Sequence, residues 1–439
     1  MLDNEAIVSG SDAVSSVVTD KLIDMGAEIS IGHGSENLRA GVGSVVISAA
    51  IKEDNKELIL ARERRCKVYK YAQMLGYIMD HYDGIAISGT HGKSTTGGWL
   101  TYCMEKSGVE PNFIIGADIS QLECSSGTGE GEYFIAEACE YDRSFLNLKP
   151  KVACVLNIEQ DHLDYYRDEA DIIDAFVEFA GNVKEDGVLV ANGEDANVVR
   201  MLEQVDSDIK RITFGLGRDC DFYAENIRDV DGFSSFDIYY KGEFLRGAKI
   251  ALAGRHNVLN ALAVVSIAAA EKLELERIIE HLGEFTGMDR RLMFKEQVDG
   301  ITVVDDYAHH PTEIRASLAA LRQKYKPDRI LCIFQPHQYS RTRFLLDDFA
   351  ESFKLSDVTI VPEIYFVRDT QESRRLVNAQ ILAEKINSNG TKALFIEGFS
   401  GIFEYLKQNV ICGDLVVTMG AGDIWKVADE YIQWLRRDS

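Results

Sequence analysis

Residues 84–98, GIAISGTHGKSTTGG, read as a short buried strand running into a glycine-bearing turn and then the first turn of a helix. Ile85, Ala86 and Ile87 form the apolar run, Gly89 and Gly92 let the backbone fold closely around an anion, and Lys93 adds a cationic head where the helix begins. Thr90, His91, Thr95 and the amides between the two glycines complete a cradle in which several N–H groups and the helix dipole converge on one phosphate. The Ser94 hydroxyl follows directly and is placed to hold a magnesium ion bridging the outer phosphates. The generic pattern wants a glycine where this chain has Ile87, so a strict search would miss the loop, and a glycine-using βα turn is the bland alternative. The strand, the lysine and the paired hydroxyls favour nucleotide binding.

At 439 residues the chain is too long for one ordinary domain. A formal net charge of −24, from 71 acidic against 47 basic residues, argues against nucleic acid or an anionic membrane surface as a main partner. Eight scattered cysteines, without a C-x-x-C pair and mostly inside apolar runs, read as reduced core residues. With no signal sequence and no bilayer-spanning apolar stretch, the expected location is the cytoplasm.

Working outward from the loop, both flanks alternate strand and helix, the mark of parallel sheets in an α/β fold. Upstream, a strand over Ala6 to Ser9 with a turn at Gly10-Ser11-Asp12, then further βα units, make a first domain over residues 1–82. A second, residues 83–291, carries the phosphate loop, and its pattern changes to period-two alternation between Phe222 and Ala253, an attached antiparallel sheet. Gly287-Met288-Asp289-Arg290-Arg291 marks a hinge before a strand beginning at Ile301. Residues 292–439 are again regular βα and predict a Rossmann-like third domain, with one helix running from Thr342 to Phe353.

Polar groups gather just past strand ends, where open α/β sheets bind ligands. Glu137 follows one strand and Asn157-Ile158-Glu159-Gln160-Asp161-His162 another; a carboxylate and the His162 imidazole there suit a magnesium ion on nucleotide phosphates. Asp161 and Asp164 read as caps and solvated charges. Downstream, Asp305-Asp306-Tyr307-Ala308-His309-His310 and His337-Gln338-Tyr339-Ser340-Arg341-Thr342-Arg343 each sit between a strand and a helix, where arginine can fork onto a carboxylate or phosphate. Capping by the histidines and surface ion pairing by the arginines are the structural alternatives.

Taken together, GTHGKST, EACEYDRSFLNLKP, LNIEQDHLDYY, GRHNVLNALA, GMDRR, DDYAHHPTEI, FQPHQYSRTR and MGAGDIW resemble, in order and over nearly the whole chain, the Mur ligase family of peptidoglycan synthesis. The resemblance implies Rossmann-like N- and C-terminal domains around a central P-loop-type ATPase domain, binding in turn a UDP-sugar, ATP and an amino acid. It implies ATP-dependent joining of L-alanine to the muramoyl carboxylate of UDP-N-acetylmuramate through an acyl phosphate, with Mg2+ as cofactor. By matched motif, Lys93 holds the outer phosphates, Ser94 and Glu137 one magnesium and His162 a second. Asn257, Asn260, Arg290 and Asp306 lie near the nucleotide, and His309, His337 and Arg341 near the acyl phosphate and alanine.

Three positions depart from the family pattern: Tyr71 and Gln338 stand where arginine is common, and Ser94 replaces threonine. The family's opening strand and glycine-rich loop are not seen ahead of Ala6, which leads us to expect a truncated start. Two rivals follow from this reading: a recycling ligase that adds a ready-made peptide to the same sugar nucleotide, and an inactive nucleotide-binding regulatory protein. The sequence is compatible with a monomer and with a homodimer.

Overall fold

The computed structural model describes residues 6–162, 165–230, 232–366, 369 and 371–438; the reading of Asp164 lies outside them. The phosphate-loop strand, Asp83–Ser88, stands inside a ten-stranded sheet, between Val152–Val155 and Tyr133–Glu137, both parallel to it. Because the strand is covered on both faces it needs a continuous apolar run, and Ile85, Ala86 and Ile87 are all fully buried. Its alternate side chains feed two cores. Ile85 and Ile87 join a cluster with Trp99 of the helix Lys93–Lys106 and Val265 of the helix Arg255–Ala270. Ala86 joins Phe145, Phe176 and Phe179 on the opposite face, where Phe145 stacks on Phe179 at 4.8 Å.

The expected antiparallel strands are present as Phe222–Val230, Phe233–Tyr240 and Glu243–Ile250. They extend the same sheet, because Phe222–Val230 pairs in parallel with Lys210–Gly215 before the meander reverses direction.

The C-terminal sheet has six strands in the order Met293–Val298, Ile301–Asp306, Asp414–Met419, Arg329–Phe334, Val358–Val361, Ala393–Phe395, all parallel but the first. Helices on both faces give it two cores, one around Phe334 and Phe349 and one around Ile333 and Tyr431. Among the described residues, no hydrophobic cluster joins side chains before residue 290 to side chains after it.

Several expectations need correction. The first strand is Ser9–Asp12, not Ala6 to Ser9 followed by a turn: its ladder with Glu28–Ile31 runs through Asp12, and ladder bonds override the turn preference of Gly-Ser-Asp. The segment after Gly287–Arg291 passes first through Met293–Val298, which forms a hairpin with Ile301–Asp306. The helix expected from Thr342 to Phe353 is two short ones, Tyr339–Phe344 and Leu346–Glu351, broken at Leu345. All eight cysteines are free, but Cys139 and Cys412 are exposed and are not core residues. No helix among the described residues is long and apolar enough to cross a membrane.

Candidate active site

The phosphate loop is pinned from outside by Asn157, whose Oδ1 accepts from His91 N at 2.8 Å and whose Nδ2 donates to His91 O at 3.0 Å. Thr90 is tied to the same neighbouring loop: its Oγ1 accepts from Glu159 N at 2.8 Å. Both glycines are required. Gly89 (φ 140°) lies so close to Leu156 and Asn157 that a Cβ would sit 3.0 Å from Leu156 Cβ, and Gly92 (φ 86°) would bring one within 2.9 Å of Asn260 Oδ1. Gly92 caps the helix Lys93–Lys106, whose first-turn amides are therefore free to face an anion.

From Lys93 a line of charged side chains runs into the C-terminal domain. Lys93 Nζ donates to both Glu140 oxygens, at 3.1 and 2.9 Å, and to the Gly89 carbonyl. Burial works against the ammonium, yet the Glu140 charge prevails and the Lys93 pKa rises to about 12. His162 Nε2 lies 3.6 Å from Glu140 Oε1 and 3.8 Å from Asp161 Oδ2. Asp161 in turn takes a two-pronged bond from Arg341, Nε to Oδ1 at 3.0 Å and Nη2 to Oδ2 at 3.2 Å, with both residues buried. Despite its burial Asp161 is held far below the usual carboxylate range, by Arg341 first and the nearby histidines next. Arg341 Nη1 reaches His337 Nδ1 at 3.4 Å, and the His337 and His309 rings lie 6.2 Å apart. Burial lowers the His309 pKa to about 3, so this imidazole is neutral.

One expectation changes here and one residue is added. Glu137 accepts from Gly116 N at 2.6 Å, and Glu140, three residues on, is the acid that pairs with Lys93. The strand ends at Glu137, and the following turn carries Glu140 back over the loop, which strand periodicity alone does not disclose. Asp161, read as a solvated charge, is instead a buried bridge between domains. Ser94, buried at the helix start, and the Glu137 and Glu140 carboxylates are hard oxygen donors of the kind Mg2+ takes, and His162 stands beside Glu140.

Behind the loop lies a cavity of about 480 Å³ between the central and C-terminal domains, lined by His91, Gly92, Thr95, Asn257, Asn260 and Asp306 among others. Asn257 donates to Ala253 O at 2.7 Å and accepts from Asn260 at 3.2 Å, which orients both amides. Asp306 keeps one carboxylate oxygen unpaired, and burial raises its pKa to about 6. Arg290 does not face this space: it donates to Asp305 and to the Gly420 and Gly422 carbonyls. Its neighbour Arg291 lines the cavity and lies over the Tyr307 ring. His256, not singled out from the sequence, lines it too and is held neutral by burial, with a pKa of about 4. On the loop, His91 Nδ1 meets Glu313 Oε1 of the C-terminal domain at 3.1 Å; burial opposes its charge, but Glu313 and Glu159 raise its pKa to about 9.

A phosphate cradle facing a Rossmann-like domain across a nucleotide-sized cavity agrees with three family models. The chain matches the Mur ligase family catalytic domain over residues 2–83, the Mur ligase middle domain over 87–268 and the Mur ligase glutamate ligase domain over 290–422. The chain belongs to the Mur ligase family. Among full-length relatives, the UDP-N-acetylmuramate--L-alanine ligase of Clostridium tetani is 41% identical over 428 residues, 97% of this chain and 92% of that one. That of Acetivibrio thermocellus is 42% identical over 97% of this chain and 90% of its own. The crystal structure of the UDP-N-acetylmuramate-alanine ligase of Thermotoga maritima matches with a TM-score of 0.83 at 24% identity, covering 100% of this chain and 95% of that one. A murein peptide ligase from Psychrobacter arcticus matches at 0.71 and 22%, covering 99% and 94%. These last two establish likeness of fold.

Proposed function

We propose that the chain joins L-alanine to UDP-N-acetylmuramate with cleavage of ATP to ADP and phosphate, in the cytoplasm, as a step of peptidoglycan synthesis. The observation that carries this reading is the row of neighbouring side chains from Lys93 through Glu140, His162 and Asp161 to Arg341, His337 and His309. It links a phosphate site to a second domain that can present an amine. The relatives' printed names supply the two substrates.

In the first step the γ-phosphoryl group passes to a muramoyl carboxylate oxygen and ADP leaves; in the second, the alanine nitrogen attacks the acyl carbon, loses a proton, and phosphate departs. The loop amides between Gly89 and Gly92 and the Lys93 ammonium, exchanged from Glu140 onto the outer phosphates, stabilise the charge that shifts in the first step. Arg341 and His337 lie where the acyl phosphate forms, and the neutral His309 orients the incoming amine by hydrogen bonding. Ser94 and Glu137 would hold one Mg2+ and His162 a second, with Glu140 beside them; when bound, the ions would neutralise charge on the phosphates. Asn257, Asn260 and the unpaired Asp306 oxygen suit the base and ribose of ATP. The proposed division of labour follows domains 1–82, 83–291 and 292–439 for sugar nucleotide, ATP and alanine.

The test is phosphate release by the purified chain, with mass spectrometry of the product. Release that requires both UDP-N-acetylmuramate and L-alanine supports the reading. Release driven by a tripeptide and not by alanine assigns the recycling reaction, and nucleotide binding without product under any combination assigns a regulatory role.

A further inference from the structure

We propose a transition-metal site, separate from the magnesium of the phosphates, at His91, Glu159 and His310. These residues come from three segments that meet where the C-terminal domain abuts the phosphate loop: the loop itself, the turn after Val152–Val155, and the N-cap of the helix Pro311–Tyr325. One ligand atom from each lies within 4.8 Å of the other two. His91 Nε2 is 3.4 Å from Glu159 Oε2, and His310 Nδ1 is 3.6 Å from the same oxygen. A tetrahedral ion with bonds of about 2.0–2.1 Å needs ligand atoms about 3.3 Å apart, so these two edges require only a slight contraction.

The surroundings are also those of a metal site. His91 Nε2 is buried and makes no well-aligned hydrogen bond, the Glu159 carboxylate standing 3.4 Å away. With that nitrogen on a metal, Nδ1–H donates to Glu313 Oε1 at 3.1 Å, the carboxylate–histidine–metal relay that fixes ring orientation. His310 presents Nδ1 toward Glu159 Oε2 while also capping the helix, accepting from Thr312 N at 3.4 Å, and its Nε2 faces the Gln160 carbonyl at 3.4 Å. The ligand carboxylate is oriented by Thr312 Oγ1, which donates to Glu159 Oε2 at 2.7 Å. Two imidazoles and one carboxylate favour Zn2+ or Co2+ over Mg2+, which prefers an all-oxygen shell. His91 and Glu159 also line the nucleotide cavity, so a fourth position opens toward it. An ion there pins the phosphate loop to the C-terminal domain and opposes their separation.

The experiment is a Co2+ titration of the metal-stripped full chain, without nucleotide and in excess Mg2+, read by the visible d–d bands of tetrahedral cobalt. The expected result is one equivalent with tetrahedral bands, displaced by Zn2+, and bound at least tenfold more weakly by His310→Asn and by Glu159→Gln. Asparagine keeps the helix cap while removing the imidazole. His162→Ala should bind as the wild type does. Zn2+ should raise the melting temperature of the wild type and leave that of His310→Asn unchanged; melting without metal shows whether each variant is folded, and Glu159→Gln decides if His310→Asn is not. Bands absent from the wild type, bands unchanged in the folded variants, or a near-ultraviolet thiolate band pointing to Cys139 would overturn the proposal.

Discussion

Glu140 and Glu137 separate two roles within one turn of chain. Glu140 neutralises Lys93 and neighbours His162, whereas Glu137 accepts from the Gly116 amide. Replacing Glu140 by Gln should lower kcat by roughly 10²–10³-fold, the usual cost of losing one preorganised electrostatic group. Glu137→Gln, at a proposed magnesium ligand, should also lower kcat and should raise the Mg2+ concentration needed for half-maximal rate more than Glu140→Gln does, and steady-state kinetics of both variants with rising Mg2+ check the contrast. Asp306 makes a stability prediction with a definite sign. Its folded pKa of about 6 lies above the ordinary value of 3.8, so the fold favours the protonated acid. Stability linked to this group is present at low pH and is lost as pH rises from about 4 through about 6. Asp306→Asn should therefore be more stable than wild type at pH 8, by about 1–3 kcal/mol, with the difference shrinking toward pH 4. Urea unfolding at the two pH values measures it.

At the scale of elements, the helix Tyr71–Met79 packs onto the segment Tyr141–Asn147 of the central domain through Gly76, where a Cβ would fall 2.1 Å from the Asn147 carbonyl oxygen. That oxygen is backbone and cannot swing aside. Gly76→Ala should destabilise by about 1–3 kcal/mol, visible as a lower melting temperature. The sequence made the phosphate-loop strand, its helix and the βα alternation of the third domain legible, because each has an apolar run of the right period and a clear glycine or proline boundary. It hid the strands Lys67–Lys70, Cys124–Gly127 and Met293–Val298, which are short and polar and become strands only because a neighbour supplies the ladder. The same limit applies at the site. Lys93 and His162 are visible from motif and strand end, while Glu140 and Asp161 are recognised only when distant segments converge on them.

Across the whole molecule, the C-terminal domain meets the phosphate loop and its neighbours through charge. Asp161 with Arg341 is the buried pair, and removing one partner leaves the other charged and dehydrated, a cost of about 3–5 kcal/mol. Asp161→Asn should therefore open the molecule, seen as a larger radius of gyration in small-angle scattering. A double-mutant cycle with Arg341→Gln should show strong coupling. In the metal-free protein His91 adds a pH limit: its pKa is raised from 6.5 to about 9, so the stabilisation is complete below about 6.5 and is lost as pH rises through about 9. Scattering in the alkaline range should show the same expansion as Asp161→Asn. Among the described residues the cores stop at the domain boundary, with none spanning residue 290. Parting the domains thus uncovers little hydrocarbon and carries almost no heat-capacity increment. Calorimetry will pass over the opening in silence and register the melting of the domains, while added salt, which screens ions and spares hydrocarbon, sets how often the molecule gapes.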